Sequence, residues 1–209
     1  MGLVVTIAAP TTHLVTEAAV KAELGITTGA DDALLQRLIR RVSSQIVDAC
    51  GQALARETVR ETLPGTDTER LMLARTPIVS VTTVTIDGRT VTDYTIEDAA
   101  AGFLARENGW PRSGYAITSL ANDSVAGTAR GTIVVTYVAG YVLEAFSTGT
   151  PTLPGVLEAA AMAMVRESYL GRAQDPTITS ERLGDWSQTY SPTTRQQMLD
   201  AIAPYRRVC

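Results

Sequence analysis

The chain has 209 residues, 45% of them apolar and 19% charged. That is enough to bury a core, and too little for a many-domain machine at roughly 100 to 200 residues per domain. A formal charge of −4, from 18 basic and 22 acidic residues, argues against a protein that clamps nucleic acid along a basic face. Two cysteines and a single histidine leave no disulfide framework and no Cys/His metal spacing.

No stretch of about 18 apolar residues marks a membrane span, and the opening residues lack the basic and apolar regions of a secretory signal. The expectation is a soluble chain in a reducing compartment. Lys21 is the only lysine. The remaining basic residues are arginines, which suit oriented contacts with carboxylates and carbonyls across interfaces.

In chain order, residues 1–13 read as a flexible N-terminus. Thr16 is placed to cap a short helix over Glu17 to Leu24, stopped by Gly25. Asp31 and Asp32 supply a cap and negative charge at the start of a long helix. Its apolar positions, Leu34, Leu35, Leu38, Ile39, Val42, Ile46, Val47 and Cys50, fall on one stripe.

From Thr58 onward, Thr, Val and Ile runs broken by Gly, Pro and Asp signal short strands. Ile78 to Ile86 is a strand, Asp87-Gly88 a two-residue hairpin turn, and Thr90 to Ile96 the return. Further strands are expected at Glu69 to Ala74, around Phe103-Leu104 and at Thr132 to Val138. The stretch Asn108 to Arg130, which contains Trp110-Pro111, reads as a long loop.

Pro154 suits the first turn of a helix running from Gly155 to Leu170 and ending at Gly171. That helix is apolar nearly all round, so it must be covered on more than one side, by its own domain or by a neighbouring subunit. After it come a polar loop with Trp186 and Tyr190, a short amphipathic stretch from Pro192 to Ile202, and the closing Pro204-Tyr-Arg-Arg-Val-Cys209. Such an end either frays or docks, since Tyr and Arg are favoured interface anchors.

Signals of catalysis are sparse. His13 lies near the N-terminus, Cys50 sits on the apolar stripe, and neither GxGxxG nor GxxxxGK[ST] occurs. Asp31-Asp32 is explained by helix capping and Glu97-Asp98 by a turn after a strand. A glycosidase-type pair of distant carboxylates stays open as an alternative. No enzyme, cofactor or metal site is expected, and the positive features are those of an interaction protein.

The order of elements carries a resemblance. "LVTEAAVKAELGI" followed by "DDALLQRLIRRVSSQIVDACG" resembles the first two helices of the tailed-phage head-tail connector proteins, the adaptor or head-completion family. "RTPIVSVTTVTIDGRTVTDYTIE", "ENGWP", "GTIVVTYVAGY" and "LPGVLEAAAMAMVRESYLGR" are similar to the β insertion and following helix of its longer members. "TSERLGDWSQTYS" and the closing "PYRR" look like the family's late loop and C-terminus. The likeness runs from Leu14 to Arg207. The extended stretch Asn108 to Arg130 and the last two residues depart from the pattern.

The resemblance implies an α+β subunit. A helical core (14–57 and 154–172) would carry an inserted antiparallel β-rich region (58–153), followed by a loop and extended docking tail (173–209). It also implies a structural, non-enzymatic adaptor of a phage, prophage or gene transfer agent particle. Such adaptors form a ring, typically dodecameric, beneath the portal protein and join the DNA-filled head to the stopper or tail. DNA passes without sequence-specific binding, and no membrane is involved. By position, Arg195, Tyr205, Arg206 and Arg207 would bind the portal through a tail that orders on docking, and Met162, Met164 and Tyr169 would serve contacts between subunits. Two alternatives stand beside this: another neck or tail-completion component, and a small virion-associated hydrolase built around Glu97 and Asp98.

Overall fold

The computed structural model describes residues 2–111, 132–144, 150–173, 180–183, 186–189 and 193–207. The chain divides into a β-rich unit, residues to Ala9 together with Ala55–Tyr141, and a helical unit, Pro10–Leu54 together with the residues from Val142. Both are discontinuous in sequence.

In the β-rich unit the strands are β1 (Gly2–Ile7), β2 (Glu57–Pro64), β3 (Arg70–Met72), β4 (Ile78–Ile86), β5 (Arg89–Thr90), β6 (Thr95–Asp98), β7 (Phe103–Ala105) and β8 (Thr132–Ala139). They form a five-stranded antiparallel sheet, β1-β2-β8-β4-β5, and a three-stranded sheet, β3-β7-β6. Strict alternation along β8 buries Ile133, Val135, Tyr137 and Ala139 and leaves the residues between them half-buried. A period of two is what a sheet with one covered face requires. Val59 and Leu63 of β2 join this core, with Val84, Leu71, Leu73, Leu104 and Trp110.

Two features of this unit differ from the sequence reading. Residues 2–7 are not a flexible end: they pair antiparallel with β2, Gly2 opposite Thr62 and Val5 opposite Val59. An uncharged, Val-rich strand needs no turn signal to add to an open sheet edge. The return after the hairpin is also split. Asp87 and Gly88 both take positive φ (50° and 79°), as a tight hairpin turn demands, but only Arg89–Thr90 pairs with β4 before the chain leaves for β6. The crossing is tied by Asp93, which accepts from Arg106 Nε (2.9 Å) and Asn108 Nδ2 (3.2 Å).

Trp110, in the expected loop, is fully buried. Its indole N–H donates to the Glu69 carbonyl (3.0 Å), its backbone N–H donates to that of Thr68 (2.9 Å), and its own carbonyl accepts from Thr66 and Asp67. Residues 112–131 of the expected loop lie outside the described residues.

One carboxylate is sealed inside this core. Glu61 is 4% exposed, and its Oε2 accepts from the Tyr137 hydroxyl (2.7 Å) and the Ala74 N–H (2.9 Å). The Tyr137 oxygen in turn accepts from the Arg75 N–H at 3.0 Å. A buried polar side chain needs such donors in place of water.

The helical unit holds α1 (Glu17–Leu24), α2 (Asp32–Cys50), α3 (Gly155–Leu170), a hairpin of β9 (Ser180–Leu183) and β10 (Trp186–Thr189), and α4 (Thr193–Ala201). The hairpin stands where a polar loop was expected. Thr16 caps α1 by accepting from the Ala19 N–H (3.1 Å), and Gly25 ends it at φ 68°, with the Ile26 N–H on the Lys21 carbonyl. α2 ends likewise at Gly51, φ 67°; these left-handed positions favour glycine. Asp31 occupies the N-cap of α2 but makes no side-chain cap bond. Instead its Oδ2 accepts from the Tyr169 hydroxyl at 2.5 Å, while Asp32 pairs with Lys21. These carboxylates tie helices together rather than capping one.

Two measurements test these contacts. Tyr137→Phe removes a donor to Glu61 and the acceptor of the Arg75 N–H, and should lower stability by about 1–3 kcal/mol in urea unfolding at neutral pH; no loss would mean that water replaces the hydroxyl. The Arg106 guanidinium, then Asn108, holds the Asp93 carboxyl below the usual carboxylate range. Its contribution is therefore present above that range and lost as pH falls through the lowered value. Asp93→Asn should be less stable than the parent at neutral pH, and the gap should close in acid.

Candidate docking surfaces

α3 buries Leu157, Ala160, Ala161, Met164 and Val165 inside the helical unit. Its other side stays open: Val156 is 45% exposed and Leu170 56%. Between α3 and the end of α1 lies a shallow groove of about 440 Å³ floored by Ala159, Met162, Ala163 and Leu170. Glu23, Arg166 and Glu167 stand on its rim, with Arg166 and Glu23 paired at 3.5 Å.

The three residues expected between subunits therefore have different surroundings. Met162 lines the open groove. Met164 is 3% exposed and fills the subunit's own core, a correction to its expected place, because the helix turns it toward the buried side. Tyr169 is engaged within the subunit: its hydroxyl donates to Asp31, and the Arg172 guanidinium lies 3.7 Å from its ring centre.

The closing segment is not the mobile tail the sequence suggested. α4 leads into Ile202, fully buried, and then a 3-10 turn over Ala203–Tyr205. The Tyr205 N–H donates to the Ile202 carbonyl (2.9 Å) and the Arg206 N–H to that of Ala203 (3.1 Å). The Arg207 N–H then reaches the Cys50 carbonyl at 2.8 Å, satisfying an acceptor that the end of α2 leaves free. Tyr205 and Arg207 are half-buried, and Arg206 is exposed, with one guanidinium nitrogen 3.3 Å from the Leu199 carbonyl. Arg195 falls on α4. The apolar Ile202, which closes the amphipathic stretch two residues before Pro204, was the available signal that this end packs on the protein itself.

Residues weighed for chemistry are occupied structurally. Glu97 is chelated by the Arg70 guanidinium, and Asp98 Oδ1 accepts from the Ala101 N–H at 2.8 Å. Burial pushes the Cys50 thiol up, with the Arg206 charge opposing it, so its reactive thiolate is disfavoured. Among the described residues no group of three or more His, Cys, Asp or Glu side chains is arranged to hold a metal ion, and no helix is long and apolar enough to cross a membrane.

Comparisons with known proteins give a consistent picture. Among solved structures, a chain from the neck of an empty GTA particle computed with C6 symmetry superposes with a TM-score of 0.58 at 17% identity, over 100% of this chain and 97% of that one. A chain from the virion of a native gene transfer agent particle matches equally, with the same score, identity and coverage. A third, from the neck of a native GTA particle computed with C12 symmetry, gives 0.57 at 17% identity over the same shares. At that identity the likeness is one of fold. No curated protein matches the sequence. The family model for head completion protein matches residues 13–170, which takes in α1, α2, α3 and all of the β-rich unit except β1. The chain belongs to the head completion protein family.

Proposed function

We propose that this chain is a non-enzymatic structural subunit of the neck of a tailed particle. It is an adaptor that docks beneath the portal protein as a ring, twelve copies around, and hands the DNA channel on to the stopper or tail-completion protein. Family membership over residues 13–170 carries this reading. The fold shared with chains from gene transfer agent necks supports it. An overall charge of −4 suits a channel wall that DNA must slide past.

The portal contact is assigned to the closing segment, through Arg195 on α4 and Tyr205, Arg206 and Arg207 beyond it. Because that segment is held on α2 by the Arg207 N–H, it docks as a preformed surface. Little ordering entropy then has to be lost on binding. The hydrolase reading loses its candidates, since Glu97 and Asp98 are committed to Arg70 and to a turn.

The test is sedimentation of the purified chain with the portal ring of the same genome. Binding of one copy per portal subunit is expected; no binding between two folded partners moves the assignment to a component lower in the neck or tail. Within a positive result, Tyr205→Ala combined with Arg206→Glu should weaken portal binding at least tenfold with the circular dichroism spectrum unchanged. Unaltered affinity would remove the tail from the contact. Ile202→Ala should instead cost about 2–5 kcal/mol of stability, because it empties a buried site.

A further inference from the structure

Two faces of the helical unit carry groups that the rest of the described chain leaves unmatched. On α2, Arg37 and Arg41 lie one turn apart on the side away from the buried stripe, with Arg40 beside them. All three are exposed, and none has an ion pair or hydrogen bond among the described residues. Leu34 and Leu38, expected on the apolar stripe, are only half-buried and lie at its margin, beside Arg37 and Arg41. This is a mixed surface of apolar side chains and guanidinium groups.

The second face is the groove between α1 and α3. Its floor is apolar, and its rim carries Glu167, exposed and without a partner among the described residues. Glu23 also stands there and has only the long 3.5 Å contact to Arg166. What this groove lacks is a helix bearing apolar groups flanked by cations. The chain itself carries one, on α2.

We infer that the Leu34–Arg41 face of one copy seats in the α1–α3 groove of the next. Leu34 and Leu38 would then cover Met162 and Leu170, and the guanidinium groups would meet Glu167 and Glu23. The inference rests on the ring reading above and names its subunit contact. Guanidinium forks match carboxylates in two-point geometry, and a purely ionic ligand would make no use of the leucines. Since the two patches are different, the contact is head-to-tail, the kind that makes a ring when its rotation closes. Each exposed ion pair adds little, so two free copies associate weakly, and the contact gains when many copies are held side by side.

A charge-swap experiment tests this. One variant carries Arg37→Glu and Arg41→Glu, the other Glu23→Arg and Glu167→Arg. Self-association is read by sedimentation velocity of the free chain at millimolar concentration, and as inter-subunit cross-links on the portal ring. Each variant alone should lose association at least tenfold, and an equimolar mixture of the two should regain it, because each then offers the other a matched pair of faces. The inference is overturned if both folded variants associate like the parent, if mixing restores nothing, or if the parent shows no contact between copies in either setting. Should a reversal disturb folding by circular dichroism, Arg41→Gln and Glu167→Gln give the same comparison as partial losses. A chain that assembles with itself but ignores the portal would refute the adaptor reading and leave this contact standing. Portal uptake without loss in the variants would refute the contact alone.

Discussion

Helix α2 has a single apolar stripe, and the helical unit is organised around filling it. Leu35, Ile39, Val42, Ile46 and Cys50 are buried along its length. Near its start, Lys21 of α1 reaches Asp32, and Tyr169 of α3 reaches Asp31. Midway, the Ser43 hydroxyl accepts from the Leu14 N–H at 3.0 Å. At its end the chain turns at Gly51, and the last described residue returns to bond the Cys50 carbonyl. A Cβ at Gly51 would lie 3.6 Å from the Arg207 carbonyl oxygen, an ordinary contact. The requirement for glycine there comes from its positive φ rather than from crowding.

That economy explains the division of surfaces. With one side of α2 committed to the core, its opposite side is free to carry arginines, and α3 is left with more apolar surface than its own unit covers. An amphipathic helix beside one that is apolar nearly all round is what a subunit needs if it is to fold alone and still have a face to offer. The closing segment follows the same logic. Its backbone completes the end of α2, while the exposed Arg206 stays turned outward.

Much of this was legible from residue pattern. The helix of period 3.6 whose apolar positions run from Leu34 to Cys50, the stop at Gly25, the strand Ile78–Ile86 and its Asp87-Gly88 turn all follow from local rules, and local rules need no partner. What was hidden depends on distant residues. β1 exists because β2 offers an edge fifty-odd positions later. Trp110 is buried because the carbonyls of Thr68 and Glu69 lie within its reach. Glu61 is in phase with the buried Val59 and Leu63, and the donors that satisfy a carboxyl there, the Tyr137 hydroxyl and the Ala74 N–H, come from other parts of the chain. For the candidate surfaces, composition named the helix and the tail. It could not separate Met162, on the groove, from Met164, in the core, because a helix apolar all round has no phase to read.

The interleaving of the two units bears on how the protein is made. β1 leaves the ribosome before β2, its partner, which follows α1 and α2, and β2 in turn needs β8, which ends at Ala139. α2 likewise waits for α3, which begins at Gly155. Neither unit can close during early synthesis, so the nascent chain keeps an uncharged edge strand and an apolar helix face unsatisfied until most of its length has emerged. Long-range pairing of this kind slows folding, and exposed strand edges favour aggregation in the interval. The long-range pairings must therefore be completed before either unit can present a finished surface.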